Sequence, residues 1–280
     1  MRIRFSRRQV LAGAVGAAVT SGVANATSNH AEYFEITETE LPIAGLDPAH
    51  EGLRIAQISD LHVGMATPDG RIYKVVREIN RLKPDLVLLT GDYLTHSADP
   101  LPRVPLVLHG IDAPTFAVLG NHDHYVDAAG VRKGIERIGY TVLQNEHTVV
   151  RIRNAPLTVL GVDDGRTGSD DVAKTFAGAP RRGTRIVLAH TPPTAEKLPE
   201  NAGLACFSGH THGGQVALIP GLTEAVFARA GQPYVRGLYQ VNGNHLYVNR
   251  GLGFGRGSIF ARINSEPELS MFTLRCAPKS

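Results

Sequence analysis

Five short polar clusters, each directly after an apolar run of strand length, constrain this chain more than any other feature. They are Asp60-Leu61-His62, Gly91-Asp92, Gly120-Asn121-His122-Asp123, His190, and Gly209-His210-Thr211-His212. The runs before them cover residues 53–58, 86–89, 115–119, 186–189 and 204–207. Short apolar runs of this kind read as buried strands. Loops leaving strand ends are where a sheet protein gathers its chemistry. The pattern therefore predicts that these loops converge and present Asp, Asn and His side chains at one edge.

The segments between the clusters set the fold class. Residues 32–43 alternate like a strand, and residues 69–82 have helical periodicity through Ile72, Val75, Val76, Ile79 and Leu82, with Pro84 just beyond. Residues 101–109 read as a helix weakened by Pro102 and Pro105, and 127–138 as a helix closed by Gly139. The first half thus runs strand, helix, strand, helix, strand, helix, which is a sheet with helices on its outside. The second half is richer in strands, expected at 140–143, 148–153, 157–162, 185–189, 202–207, 246–249 and 269–274. Two packed mixed sheets flanked by helices accommodate this order. The glycine-rich segments 164–183 and 213–244 read as long loops over the motif edge, with room for short helices.

The N-terminus stands apart. Residues 1–10 carry four Arg and no acid, residues 11–23 are mildly apolar, and Ala24-Asn25-Ala26 has the small-residue pattern of a cleavage site. The expectation is a signal over 1–26, a lead-in with one strand over 27–51, and the main domain over 52–276. Ser6-Arg7-Arg8-Gln9-Val10-Leu11 resembles a twin-arginine signal, with Val10 where Phe is usual. That predicts contact with the export machinery and a location in the periplasm or cell envelope. The whole chain has 29 basic and 26 acidic residues, a net charge of +3. Four of the Arg lie in residues 1–26, so the remainder is close to neutral at −1. No general nucleic-acid-binding surface is expected. Cys206 and Cys276 are expected as two unpaired thiols.

Taken singly, each cluster is weak evidence, since a lone His is more often an ordinary hydrogen-bonded residue than a ligand. All five together, in order and each after a strand, point to metal. Imidazole-rich ligation suits Mn, Fe, Zn or Co better than Mg or Ca. Two such metals point to phosphoester hydrolysis.

The chain resembles the calcineurin-like metallophosphoesterases, the metallo-dependent phosphatase superfamily, over about residues 52–275. Ile-Ser-Asp-Leu-His at 58–62 and Ser-Gly-His-Thr-His-Gly-Gly-Gln at 208–215 look like its exported bacterial phosphodiesterase branch. So do Tyr-Val-Asn-Arg-Gly at 247–251 and Pro-Glu-Leu at 267–269. The resemblance implies a four-layer α/β/β/α sandwich and two divalent metal ions. By resemblance, Asp60, His62 and His212 hold the first metal, Asn121, His190 and His210 the second, and Asp92 bridges them. A hydroxide between the metals would attack phosphorus. His122 would stabilise the developing charge and protonate the leaving oxygen, with Asp123 orienting its ring. His124 has no such warrant and reads as a solvated loop residue.

The implied substrate is a phosphodiester or phosphoanhydride, nucleotide- or lipid-linked. One alternative is a UDP-2,3-diacylglucosamine-type pyrophosphatase, although that substrate lies on the cytoplasmic side and the signal sends this chain out. Another is a catalytically weak metal-binding envelope protein, which loss of a ligand or of His122 would favour, and neither is lost. A metallo-β-lactamase-like hydrolase needs a His-x-His-x-Asp-His cluster that is missing here. The glycine-rich stretch 251–257 fails nucleotide-loop spacing and reads as a loop near the site, which makes Arg250 and Arg256 candidates to reach a substrate phosphate. The apolar stretch Leu218-Ile219-Pro220-Gly221-Leu222, with Val226 and Phe227, is either packing or a contact for a membrane or an acyl chain.

Overall fold

The computed structural model describes residues 32–64, 67–217, 221–255 and 262–278. The expected signal, Arg256 and Leu218-Ile219-Pro220 lie outside the described residues. Twelve strands form two six-stranded mixed sheets. The first contains β1 (Glu35–Ile43), β2 (Arg54–Ile58), β3 (Leu86–Thr90), β4 (Thr115–Val118), β5 (Thr141–Val142) and β12 (Glu268–Cys276), in the order β1-β12-β2-β3-β4-β5. Strands β2 to β5 are parallel, while β12 runs antiparallel to β2 and parallel to β1.

The second sheet contains β6 (Glu146–Ile152), β7 (Ala155–Val162), β8 (Thr184–Ala189), β9 (Ala205–Ser208), β10 (Gly237–Val241) and β11 (Asn244–Val248). Its order is β10-β11-β9-β8-β7-β6, with β7, β8, β9 and β11 parallel and an antiparallel strand at each edge.

Three apolar clusters separate four layers. One lies between the first sheet and helices α1 (Asp69–Leu82), α2 (Arg103–Leu108), α3 (Asn121–Val126) and α4 (Ala128–Arg137). Ile72, Val75, Val76 and Ile79 of α1 supply the stripe that its periodicity predicts. The second cluster is the dry interior between the sheets, where Leu86, Leu88, Phe116, Ile186, Leu188, Phe207 and Phe272 meet. The third lies on the far face of the second sheet, under the short α5 (Val172–Phe176) and the 3-10 turn Pro192–Lys197. Each fully buried Leu, Ile or Phe here contributes about 1.5–3 kcal/mol. Central strand β3 is buried along its whole length, so it reads as a continuous apolar run instead of an alternating one.

Three elements depart from the sequence expectation. Helix α3 begins inside the Gly-Asn-His-Asp cluster, where no apolar periodicity announces it. The 213–244 segment ends in strand β10, an edge strand whose Leu238 is exposed, and it also contains helix α6 (Leu222–Arg229), which buries no residue. The helix at 101–109 shortens to Arg103–Leu108, and Pro105 is tolerated because it falls in the first turn.

Candidate metal centre

All five clusters emerge from the C-terminal ends of parallel strands: Asp60 after β2, Asp92 after β3, Asn121 after β4, His190 after β8 and His210 after β9. Three come from one sheet and two from the other, so the site straddles the open edge of the sandwich. The loops are stitched together by their backbones. Asp60 N–H donates to Gly91 O, His62 N–H to Asp92 O and Gly209 N–H to His190 O. Ligand and backbone approach so closely that side chains are excluded: a Cβ on Gly120 would lie 2.2 Å from Asp92 Oδ1, and one on Gly91, at φ 92°, 2.7 Å from Gly120 N.

Two groups of potential ligands result. Asp60, His62 and His212 form one, and Asp92, His190 and His210 the other; within each, the ligand atoms lie within 4.8 Å of one another. Asp92 reaches both: its Oδ2 is 3.2 Å from His190 Nε2 and 3.8 Å from His62 Nε2. Asn121 lines the same cavity as Asp92 and His210. Five of these residues have left-handed backbones: Asp60 (φ 50°), His62 (46°), Asp92 (57°), His210 (73°) and His212 (52°). Each such residue costs about 1–3 kcal/mol, held in place by surrounding structure.

The ring orientations are fixed from behind. His190 Nδ1 donates to Thr90 O at 2.7 Å, and His62 Nδ1 to Leu94 O at 3.0 Å with Thr95 Oγ1 at 2.9 Å. A carbonyl only accepts, so both rings carry their proton on Nδ1 and turn an Nε2 lone pair into the site when neutral. Asn121 Oδ1 is buried with no hydrogen-bond partner, and His190 Nε2 faces only the Asp92 carboxylate, at 3.2 Å. An orphaned acceptor of this kind is costly unless a cation satisfies it, so the residues present fit two divalent ions.

The electrostatics have the same origin. Burial pushes the Asp60 carboxyl up to about 6, with His190 opposing and Asp92 adding to the rise. Burial also lowers His62 to about 4 and His210 to about 3, keeping both imidazoles neutral. Asp92 is raised by burial, but the charge of His190 and its hydrogen bond, then His62 and His122, hold it well below the usual carboxylate range. His190 is lowered by burial and raised more strongly by Asp92 and Asp60, ending well above its ordinary value.

Three sequence expectations are corrected here. Asp123 does not orient the ring of His122. Its buried carboxylate accepts four backbone N–H bonds, from Asp92 and Gly120 at Oδ2 and from Tyr93 and Leu94 at Oδ1. The His122 ring is held instead by Thr95 O, 2.7 Å from Nδ1. Arg250 is not free for a substrate either. It pairs with Glu268 (3.0 Å), Glu35 (2.8 Å) and Glu266 (3.6 Å), and Glu268 also accepts from Thr37 and Tyr247, both at 2.5 Å. His124, read as a solvated loop residue, is half-buried and bonded to Asp163 at 2.6 Å. Both cysteines are free, Cys206 buried and Cys276 exposed.

Above the two groups lies a cavity of about 590 Å³. His122 and Tyr125 line one part of it, and Val226, Phe227 and Ala230 of the α6 region another. Sequence reasoning did not place Arg166 or His96 here, although both line it; neither belongs to a motif.

Comparison with known proteins agrees with this geometry. The calcineurin-like phosphoesterase family matches residues 53–214. The chain is 32% identical to an uncharacterized metallophosphoesterase, YkuE of Bacillus subtilis (strain 168), covering 97% of this chain and 98% of that one. It is 31% identical to phosphodiesterase YaeI of Escherichia coli (strain K12), covering 96% and 99%. It is also 31% identical to UDP-2,3-diacylglucosamine pyrophosphatase LpxG of Chlamydia trachomatis serovar D, covering 80% and 84%. The chain belongs to the calcineurin-like phosphoesterase family, and its site is that of a metal-dependent phosphoesterase.

Proposed function

We propose that this chain is an exported, dinuclear metal-dependent hydrolase of phosphodiester or phosphoanhydride bonds. The observation that carries the reading is Asp92, whose carboxylate faces both ligand groups at the floor of a cavity lined by His122. Asp60, His62 and His212 would hold one Mn, Fe, Zn or Co ion, and Asn121, His190 and His210 the other. When bound, two such ions would polarise the phosphoryl group and lower the pKa of water at the site.

The chain's own residues do the rest. His122 N–H donates to Asp92 Oδ1 at 2.9 Å, which fixes the bridging carboxylate. With its Nδ1 on Thr95 O, the His122 ring has only Nε2 left to act, and a proton delivered to the leaving oxygen would come from that atom. The apolar wall at Val226 and Phe227 keeps bulk water from the organic part of the substrate. The same wall, with the 31% identity to an enzyme named for UDP-2,3-diacylglucosamine, favours a second reading in which that part is an acyl chain. Export rests on the arginine-rich start and small-residue cleavage pattern of residues 1–26.

The test is turnover of bis-p-nitrophenyl phosphate and p-nitrophenyl phosphate by protein loaded with Mn, with metal counted per chain. Two metals and diester turnover support the reading. Two metals with no turnover of these esters or of a phosphoanhydride such as ADP would replace it with a binding role.

A further inference from the structure

Arg166 is exposed and lines the cavity, and among the described residues its guanidinium has no hydrogen-bond or ion-pair partner. This contrasts with the other arginines near the site. Arg250 is tied to three carboxylates, and Arg236 to Glu224 and Asn264 O. Arg262 is spent on the carbonyls of Gly253, Arg250 and Ser265.

Two acidic residues lie within three positions of Arg166, and neither pairs with it, because the turn that carries Arg166 consumes them. Asp163 accepts from His124 and from Gln144 Nε2 (3.1 Å). Asp164 accepts from Thr167 N–H (2.7 Å) and from Thr191 Oγ1 (2.5 Å). Thr191 follows the ligand residue His190, so the turn is anchored to the metal centre itself. Gly165 packs against Thr194 so closely that a Cβ would lie 2.9 Å from its Oγ1. Arg166 is thus an unpaired cation on a fixed turn, lining the same cavity as His210.

A guanidinium presents a planar fork that matches two phosphate oxygens. The reacting phosphate belongs over the two ligand groups, where bound dications would supply the positive charge it needs. An extra cation on the cavity lining suits a second anionic group. We propose that Arg166 binds a second phosphate of the substrate, so that the site selects phosphoanhydrides over simple diesters. The proposal rests on the phosphoesterase reading above and narrows its substrate class. Water supplies the new P–O bond at one phosphorus. The P–O–P linkage breaks with its electron pair on the bridging oxygen, which departs with the second phosphate, and the water protons end on the two products or in solvent. Arg166 neutralises the charge growing on that departing group.

The experiment is calorimetric titration of the Mn-loaded protein with methylenediphosphonate and with methylphosphonate, which differ by one anionic group. It compares the native chain with Arg166→Ala and Arg166→Lys, with metal content and circular dichroism recorded for each. The expected result is that Arg166→Ala weakens methylenediphosphonate about tenfold or more and methylphosphonate less than about threefold, with Arg166→Lys in between. Equal losses for the two ligands, or no loss for the diphosphonate, would overturn the proposal. Binding is read without turnover, so an inactive protein would sink the phosphoesterase reading while the ratio of affinities still decides the role of Arg166.

Discussion

The Nε2 atoms of His62 and His212 face one another at 3.2 Å, with their rings stacked at 24°. His62 has given its proton to the Leu94 carbonyl side, so this contact holds at most one proton in the neutral state. Asp60 Oδ1 lies 3.4 Å from the same His212 nitrogen. Arg262 donates to His212 Nδ1 at 3.1 Å, so in the neutral, metal-free ring the shared proton sits on His212 Nε2, where a dication would displace it.

Metal removal therefore has a measurable cost. Treatment with a chelator is expected to lower the melting temperature, and readdition of Mn to restore it. Ligand binding to the native state alone contributes about 4 kcal/mol per site at a thousand times Kd. Loading also displaces protons, because His190 is held protonated by Asp92 in the metal-free chain. Unbuffered titration with Mn should acidify the solution, and the apparent affinity should fall as pH falls.

His122→Ala is expected to keep two metals per chain and lose roughly 10²–10⁴-fold in kcat, the range for a positioned acid. Asp92→Asn should lose metal as well, since an amide cannot offer an anionic oxygen to each group. Metal analysis beside steady-state kinetics separates the two variants. If His122→Ala loses its metals, the assignment of His122 as an acid fails.

Asp123→Asn is expected to destabilise the fold by about 2–5 kcal/mol, read from urea unfolding. One amide oxygen can still serve Tyr93 and Leu94, but the new NH₂ would confront the N–H groups of Asp92 and Gly120. The effect should appear in stability even with the metals stripped, which a purely catalytic role would not produce.

The His124–Asp163 pair adds a pH dependence. The hydrogen bond to Asp163 raises His124 above its ordinary value despite partial burial. Burial raises Asp163, but His124 outweighs it and the carboxyl ends lowered. A raised His contributes fully below its unfolded pKa and loses the contribution as pH rises through the folded one. A lowered Asp contributes above its unfolded pKa and loses it as pH falls through the folded one. The advantage of the native chain over His124→Gln should be largest between about pH 4 and 6.5 and shrink as pH rises through the raised His124 value. Urea midpoints in excess chelator check this, and an advantage that grows with pH would contradict it.

Burial pushes the Cys206 thiol up to about 12, while Cys276 is exposed beside Glu51. A thiol reagent should titrate one cysteine in the native protein, faster as pH rises, and two in guanidinium.

Much of the fold was legible because its strands are apolar runs and its long helix is amphipathic. The Leu86–Thr90 strand and the Asp69–Leu82 helix stood at their expected places. The Asn121–Val126 helix was not legible, because its residues were chosen for the site and carry no apolar stripe. Strand Gly237–Val241 was hidden by its edge position, which leaves Leu238 and Gln240 outside. The seven candidate ligands could be named from their motifs, and the structure brings them together. The service residues could not. Thr95 holds the His122 ring through its backbone carbonyl, an atom every residue has, so no side-chain pattern announces it. Arg166 was silent for a related reason, since only the course of its loop brings it to the cavity.

The ligand loops come from both sheets, and Asp60 and His212 are separated by most of the domain's length. Neither sheet alone contains a complete binding group. The metal sites are therefore completed only by the pairing of the two sheets. The ions the chain carries are those available wherever the two sheets finally close on each other.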